Sequence, residues 1–149
     1  TIDNKIILDN FTDLVDIGHL HPQNVMVGFN SKDIFIDSMK NSVVQFAKAL
    51  SEKNNKKVFA YFFSPDIPGD DKAGAFHSCE LWYMFGTLKR CWRQFEKKDF
   101  DLSEKMISYW SNFFTNGNPN REGLPEWPEF KSKHKMIELN YDISYIDSA

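Results

Sequence analysis

The sequence predicts an α/β fold with parallel strands and helices packed around them. Val58-Phe59-Ala60-Tyr61-Phe62-Phe63 is a continuous apolar, aromatic-rich run, with lysines before it and a Pro/Gly/Asp-rich stretch after it. A run of that length with such flanks reads as a strand buried on both faces. Asn24 to Phe29 is a second run with no interior charge, as in a buried parallel strand. Between the two, Ser38 to Lys53 places Met39, Val43, Phe46, Ala47 and Leu50 on one helical stripe, with Lys40, Gln45, Lys48 and Glu52 on the other faces. That pattern is an amphipathic helix covering a sheet. A strand–helix–strand connection is right-handed in nearly all cases and makes its two strands parallel.

Composition narrows the class. A chain of 149 residues, 42% hydrophobic and 26% charged, is long enough for one domain with a real core. The aromatic share, 15% with 14 Phe and 4 Trp, demands a large buried apolar surface, in this chain or against another. A net charge of −3 and the lack of a basic stripe interleaved with aromatics argue against a nucleic-acid partner. No apolar run approaches the ~20 residues that span a bilayer, and no basic-then-apolar leader opens the chain. The compartment stays open, with the cytoplasm favoured. Cys79 and Cys91 lack Cys-x-x-Cys spacing, so neither a redox pair nor a zinc knuckle is indicated; they are a free pair or one bridge.

Taken in order, residues 1 to 22 fit a short helix ending at Gly18, followed by His19-Leu20-His21. His-x-His can chelate, but two histidines without a nearby cysteine or acidic cluster supply too few ligands, so no metal is expected. Gly28 to Asp33 is the turn at the carboxyl end of the first strand, the side where open α/β sheets place their chemistry. Residues 64 to 76 form a long Pro/Gly/Asp loop in which Asp70 and Asp71 read as loop solvation; a loop of that length in a compact domain is usually functional. Leu81 to Leu88 predicts a short buried helix, and Arg90 to Phe100 a charged connector. Asp101, with Glu104 three residues on, has capping-box spacing for a helix carrying Leu102, Met106, Tyr109, Trp110, Phe113 and Phe114 and ending at Gly117. Met136 to Leu139 is expected as a last edge strand. No repeat or boundary divides residues 1 to 149.

His77 stands in a glycine-flanked turn just past the second strand, where catalytic side chains are often carried; a lone histidine there can equally pack or cap a helix start. The residues around it decide between these. Gly74-Ala75-Phe76-His77, then Glu80-Leu81 and Phe85-Gly86, resemble the catalytic-histidine segment of the type B carboxylesterases, the family that includes the cholinesterases and para-nitrobenzyl esterases. Met106 to Phe113, then Thr115-Asn116-Gly117-Asn118-Pro119-Asn120, is similar to that family's late helix and turn, and Leu124 to Phe130 to the segment beyond. A further match over Ile6 to Asp33 resembles the strand and turn of the family's triad acid.

The resemblance implies the C-terminal part of an α/β-hydrolase fold, holding its last parallel strands. It implies cleavage of carboxylic esters through an acyl-enzyme, without a cofactor. His77 would be the general base, and Glu80 would hydrogen-bond to fix the histidine loop. Asp33 would be the acid, five residues after Gly28, the family's interval; a solvated turn aspartate is the alternative. The family most often has Glu there, preceded by Asp, where this chain has Lys32-Asp33-Ile34. A serine triad also needs a nucleophile and an oxyanion hole, and no Gly-x-Ser-x-Gly occurs in the sequence. The chain alone is therefore expected to be inactive, with the family's upstream portion, or a second copy covering open strand edges, as its partner. The other class is a non-catalytic, esterase-like interaction module.

Overall fold

The computed structural model describes residues 23–53, 56–131 and 134–148. The expected N-terminal helix and the His19/His21 pair lie outside the described residues. The sheet has strand order β1-β2-β3-β4, with β1 Val25–Asn30, β2 Val58–Phe63, β3 Lys135–Leu139 and β4 Ser144–Asp147. β1 and β3 both run parallel to β2, and β4 is antiparallel to β3. The helices are α1 Ile36–Lys53, α2 Glu80–Met84 and α3 Lys97–Asn116, with a 3-10 turn at Leu88–Arg90.

Apolar side chains fill both faces of the sheet. α1 lays Val43, Val44, Ala47 and Leu50 on one face, over Phe29, Ala60 and Met136. On the other face, Met106, Tyr109 and Trp110 of α3 meet Phe59, Phe63 and Ile137. Trp127 is buried there at the centre of an edge-on aromatic group with Phe59, Tyr61, Tyr109 and Trp110. Its indole N–H donates to the Ala60 carbonyl at 3.1 Å, which satisfies the one polar atom the ring carries. Alternation along each strand splits the side chains between the two layers, so the apolar run 58–63 is covered on both sides.

Several boundaries differ from the sequence reading. α3 begins at Lys97, within the stretch read as a connector, and its capping box is Glu96 with Asp99. The Asp99 carboxylate accepts the Glu96 N–H at 2.9 Å and the Tyr83 hydroxyl at 2.7 Å, and is fully buried. Asp101 lies one turn inside the helix and pairs with Lys97 at 2.6 Å, so it caps nothing. β3 is an interior strand; among the described residues the edge on that side is β4, whose short and largely polar Ser144-Tyr145-Ile146-Asp147 carries little of a strand's hydrophobic signal. α2 is shorter than expected. Gly117 does end α3, in a left-handed conformation at φ 66°. Phe114, placed on the apolar stripe, is exposed. Both cysteines are free.

Candidate active site

The site is set up by strand register. β1 and β2 pair from Val25 with Val58 to Asn30 with Phe63, so both strands end on the same rim. Gly28 lies opposite Tyr61, and a Cβ at Gly28 would come within 2.3 Å of the Tyr61 ring; only glycine lets that ring lie across the strand. Beyond the strands the chains stay side by side. Ser31 N–H donates to the Phe63 carbonyl and Lys32 N–H to the Ala75 carbonyl, both at 2.9 Å. Lys32 and Phe76 then form an isolated parallel bridge. Asp33 and His77 each follow that bridge by one residue, at matching heights on chains about 4.8 Å apart.

The two side chains meet: His77 Nδ1 lies 2.7 Å from Asp33 Oδ1. An ionised carboxylate only accepts, so in the neutral ring this contact favours the proton on Nδ1 and leaves the Nε2 lone pair free. The Asp33 side chain is 4% exposed and that of His77 57% exposed. The acid is thus shielded behind the ring, and the ring is open on its outer side. The other Asp33 oxygen, Oδ2, accepts the Asn30 N–H at 2.7 Å, and Asp33 N–H donates to the Asn30 carbonyl at 3.2 Å. The shorter carboxylate of Asp is accommodated because the extended pairing brings the backbones close.

Asn30 joins the two turns, and the sequence reading missed it. Its amide Nδ2 donates to the Phe76 carbonyl at 2.8 Å and to the Glu80 carboxylate, with Cys79 Sγ at 3.8 Å. Glu80 thus contacts the strand-end amide of Asn30, which itself reaches the histidine turn through the Phe76 carbonyl. The available signal was a polar residue ending an apolar run: a buried amide at a strand's carboxyl end must find partners. Behind this network, burial pushes the Tyr61 hydroxyl well up, and the Glu80 and Asp33 charges add to it. Burial, then Glu80, pushes the Cys79 thiol up to about 12. Both groups stay protonated at neutral pH.

The histidine loop has a remote anchor. Asp71 does not solvate the loop; it forms a two-pronged ion pair with Arg93, Nη1 to Oδ1 at 2.8 Å and Nη2 to Oδ2 at 2.6 Å. Ser78, next to His77, adopts φ 66° and turns the chain into α2. Among the described residues no group of three or more His, Cys, Asp or Glu is arranged to hold a metal, and no helix is long and apolar enough to cross a membrane.

The chain is similar in sequence to curated carboxylesterases and in fold to solved esterases. Human cocaine esterase is 49% identical over 65 residues, covering 43% of this chain and 12% of that protein. Mouse liver carboxylesterase 1 is 26% identical over 118 residues, 72% of this chain and 20% of its own. The chain thus spans only an eighth to a fifth of these relatives. A solved PNB esterase superposes with a TM-score of 0.80 over 98% of this chain and 40% of its own at 18% identity, a likeness of fold. The sheet and its helices are accordingly the C-terminal α/β part of an esterase-type hydrolase fold. A profile of the carboxylesterase family matches residues 9–148, and the chain belongs to that family.

Proposed function

We propose that this chain is the base-bearing part of a serine carboxylesterase, with His77 as general base and Asp33 as its orienting acid. The observation that carries the reading is the 2.7 Å Asp33–His77 contact on the carboxyl rim of the parallel strands. Nε2 takes the proton of an attacking serine hydroxyl and later returns it to the leaving alcohol. Asp33 holds the Nδ1–H tautomer and stabilises the imidazolium that forms. The serine and the oxyanion donors come from polypeptide outside these 149 residues, which contain no Gly-x-Ser-x-Gly. The outer edge of β1, unpaired among the described residues, is where that polypeptide or a second copy extends the sheet.

A non-catalytic interaction module is the second reading, and it gives no work to a buried carboxylate aimed at an exposed imidazole. The deciding experiment mixes the chain with a polypeptide carrying a carboxylesterase's upstream portion and follows a p-nitrophenyl ester. Turnover is expected only in the mixture, lost with His77→Ala and reduced on the order of 10⁴-fold with Asp33→Asn. Turnover by the chain alone above its His77→Ala control, or a mixture indifferent to His77→Ala, would overturn the proposal.

A further inference from the structure

We infer that Arg93 is a positioning residue for His77: its buried guanidinium grips the long loop ahead of the histidine and so holds the imidazole against Asp33. The inference rests on the reading of His77 and Asp33 as base and orienting acid. Residues 64–76 contain no helix or strand. Ser64 N–H is tied to the Leu139 carbonyl at one end, and the Ala75 carbonyl to Lys32 at the other. A span of that length has ample conformational freedom unless side chains remove it.

Arg93 supplies that restraint from the segment between the 3-10 turn and α3. The residue is 7% exposed. Nη1 donates to the Pro68 carbonyl at 2.8 Å as well as to Asp71 Oδ1, and Nη2 donates to Asp71 Oδ2. The guanidinium carbon also lies 5.3 Å from the centroid of the Phe76 ring. One flat group therefore touches the loop's middle through a fork of hydrogen bonds and its end through the aromatic residue next to His77. The loop is shaped to admit it: a Cβ at Gly69 would lie 2.3 Å from Nη1. A lysine has neither the fork nor the flat face. Among the described residues the buried Arg93 Nε has no hydrogen-bond partner.

The test reads the histidine itself. Imidazole ¹⁵N shifts, recorded on the neutral ring of the chain at alkaline pH, distinguish Nδ1–H from the Nε2–H form that free imidazole side chains favour. The wild type is expected to hold Nδ1–H. Arg93→Lys and Asp71→Asn are expected to shift most of the ring population to Nε2–H. Phe130→Ala, a core truncation under α1 on the other face of the sheet, should lower the melting temperature and leave the tautomer unchanged. If Arg93→Lys keeps the wild-type tautomer, or Phe130→Ala shifts it equally, Arg93 has no positioning role. A wild type already in the Nε2–H form would instead break the underlying Asp33–His77 pair.

Discussion

The two turns that meet at the rim are built in opposite ways. The Asp33 turn is short and self-contained: Asn30 and Asp33 exchange two hydrogen bonds within four residues, and the chain goes straight into α1. The His77 turn closes a long loop and borrows its restraints from Asn30, from Arg93 and from aromatic contacts of Phe76 and Trp82. Pre-organisation of Asp33 is therefore local, and that of His77 is collective. Remote substitutions should reach His77 and spare Asp33.

The largest expected effect comes from the thiol lodged between the turns. Cys79 is fully buried, and its thiol is pushed up to about 12 by burial and then by Glu80; Cys91 is partly exposed. At pH 8 an aromatic disulfide reagent should label Cys91 at least ~100-fold faster than Cys79, because the attacking species is the accessible thiolate. Equal rates in the native protein would mean that the two turns separate readily, and the contrast between them would dissolve.

Next in size is Asn30→Ala. It leaves the Phe76 carbonyl and the Glu80 carboxylate without their donor, and should destabilise by about 2–3 kcal/mol in urea titration. The backbone N–H of residue 30 can still hold Asp33 Oδ2, so the loss should fall on the histidine turn. Cys79 labelling should accelerate along with the loss of stability; a stable variant with unchanged labelling would remove Asn30 from its joining role.

Backbone strain gives a smaller contrast. Each turn carries a non-glycine residue in the left-handed region: Phe35 at φ 56° and Ser78 at φ 66°. Phe35 is 83% exposed, so little packing offsets its strain, and Phe35→Asn should stabilise by about 0.5–1 kcal/mol. Ser78→Val should destabilise by about 1–2 kcal/mol, since a β-branched residue tolerates that conformation poorly, while Ser78→Gly should be neutral or mildly stabilising. Thermal melts of the three variants check the order.

The same contrast explains what could be read from the residues. The strand Val58–Phe63, the helix under the sheet and the Gly117 stop follow from periodicity and cap chemistry, which act within a few residues of chain. Asp33 and His77 were legible as candidates through the resemblance to the carboxylesterases, and strand register explains why their side chains lie together. Arg93 and Asn30 were not, because a polar residue's burial depends on what folds over it from remote sequence. Asp99 and Asp101 illustrate the limit. Both stand near a helix start in chemically similar surroundings, and only the depth of Tyr83 and Tyr141, whose hydroxyls reach Asp99 at 2.7 and 3.0 Å, makes one a buried cap and the other a surface partner of Lys97. β4 escaped for a related reason: its pairing is supplied by β3 and not by its own composition.

The smallest expected effect concerns pH and the remote anchor. Hydrogen bonding from Arg93 holds the Asp71 carboxyl below the usual aspartate range. A depressed carboxyl contributes stability that is present above its unfolded value, near pH 4, and lost as the pH falls through its lower folded value. The difference in unfolding free energy between wild type and Asp71→Asn should thus stay constant from pH 8 to about pH 5 and shrink below about pH 4. Asp71 is 44% exposed on its side chain, so water and salt screen the pair and the amplitude should be small. Raising the ionic strength should reduce it further. The acid turn offers the contrast, because no substitution at Asp71 touches the Asn30–Asp33 hydrogen bonds. Asp33 Oδ2 should keep its backbone donor at every pH where Asp71→Asn and wild type differ. A difference between wild type and Asp71→Asn that fails to shrink below about pH 4 would remove the Arg93 fork as its source.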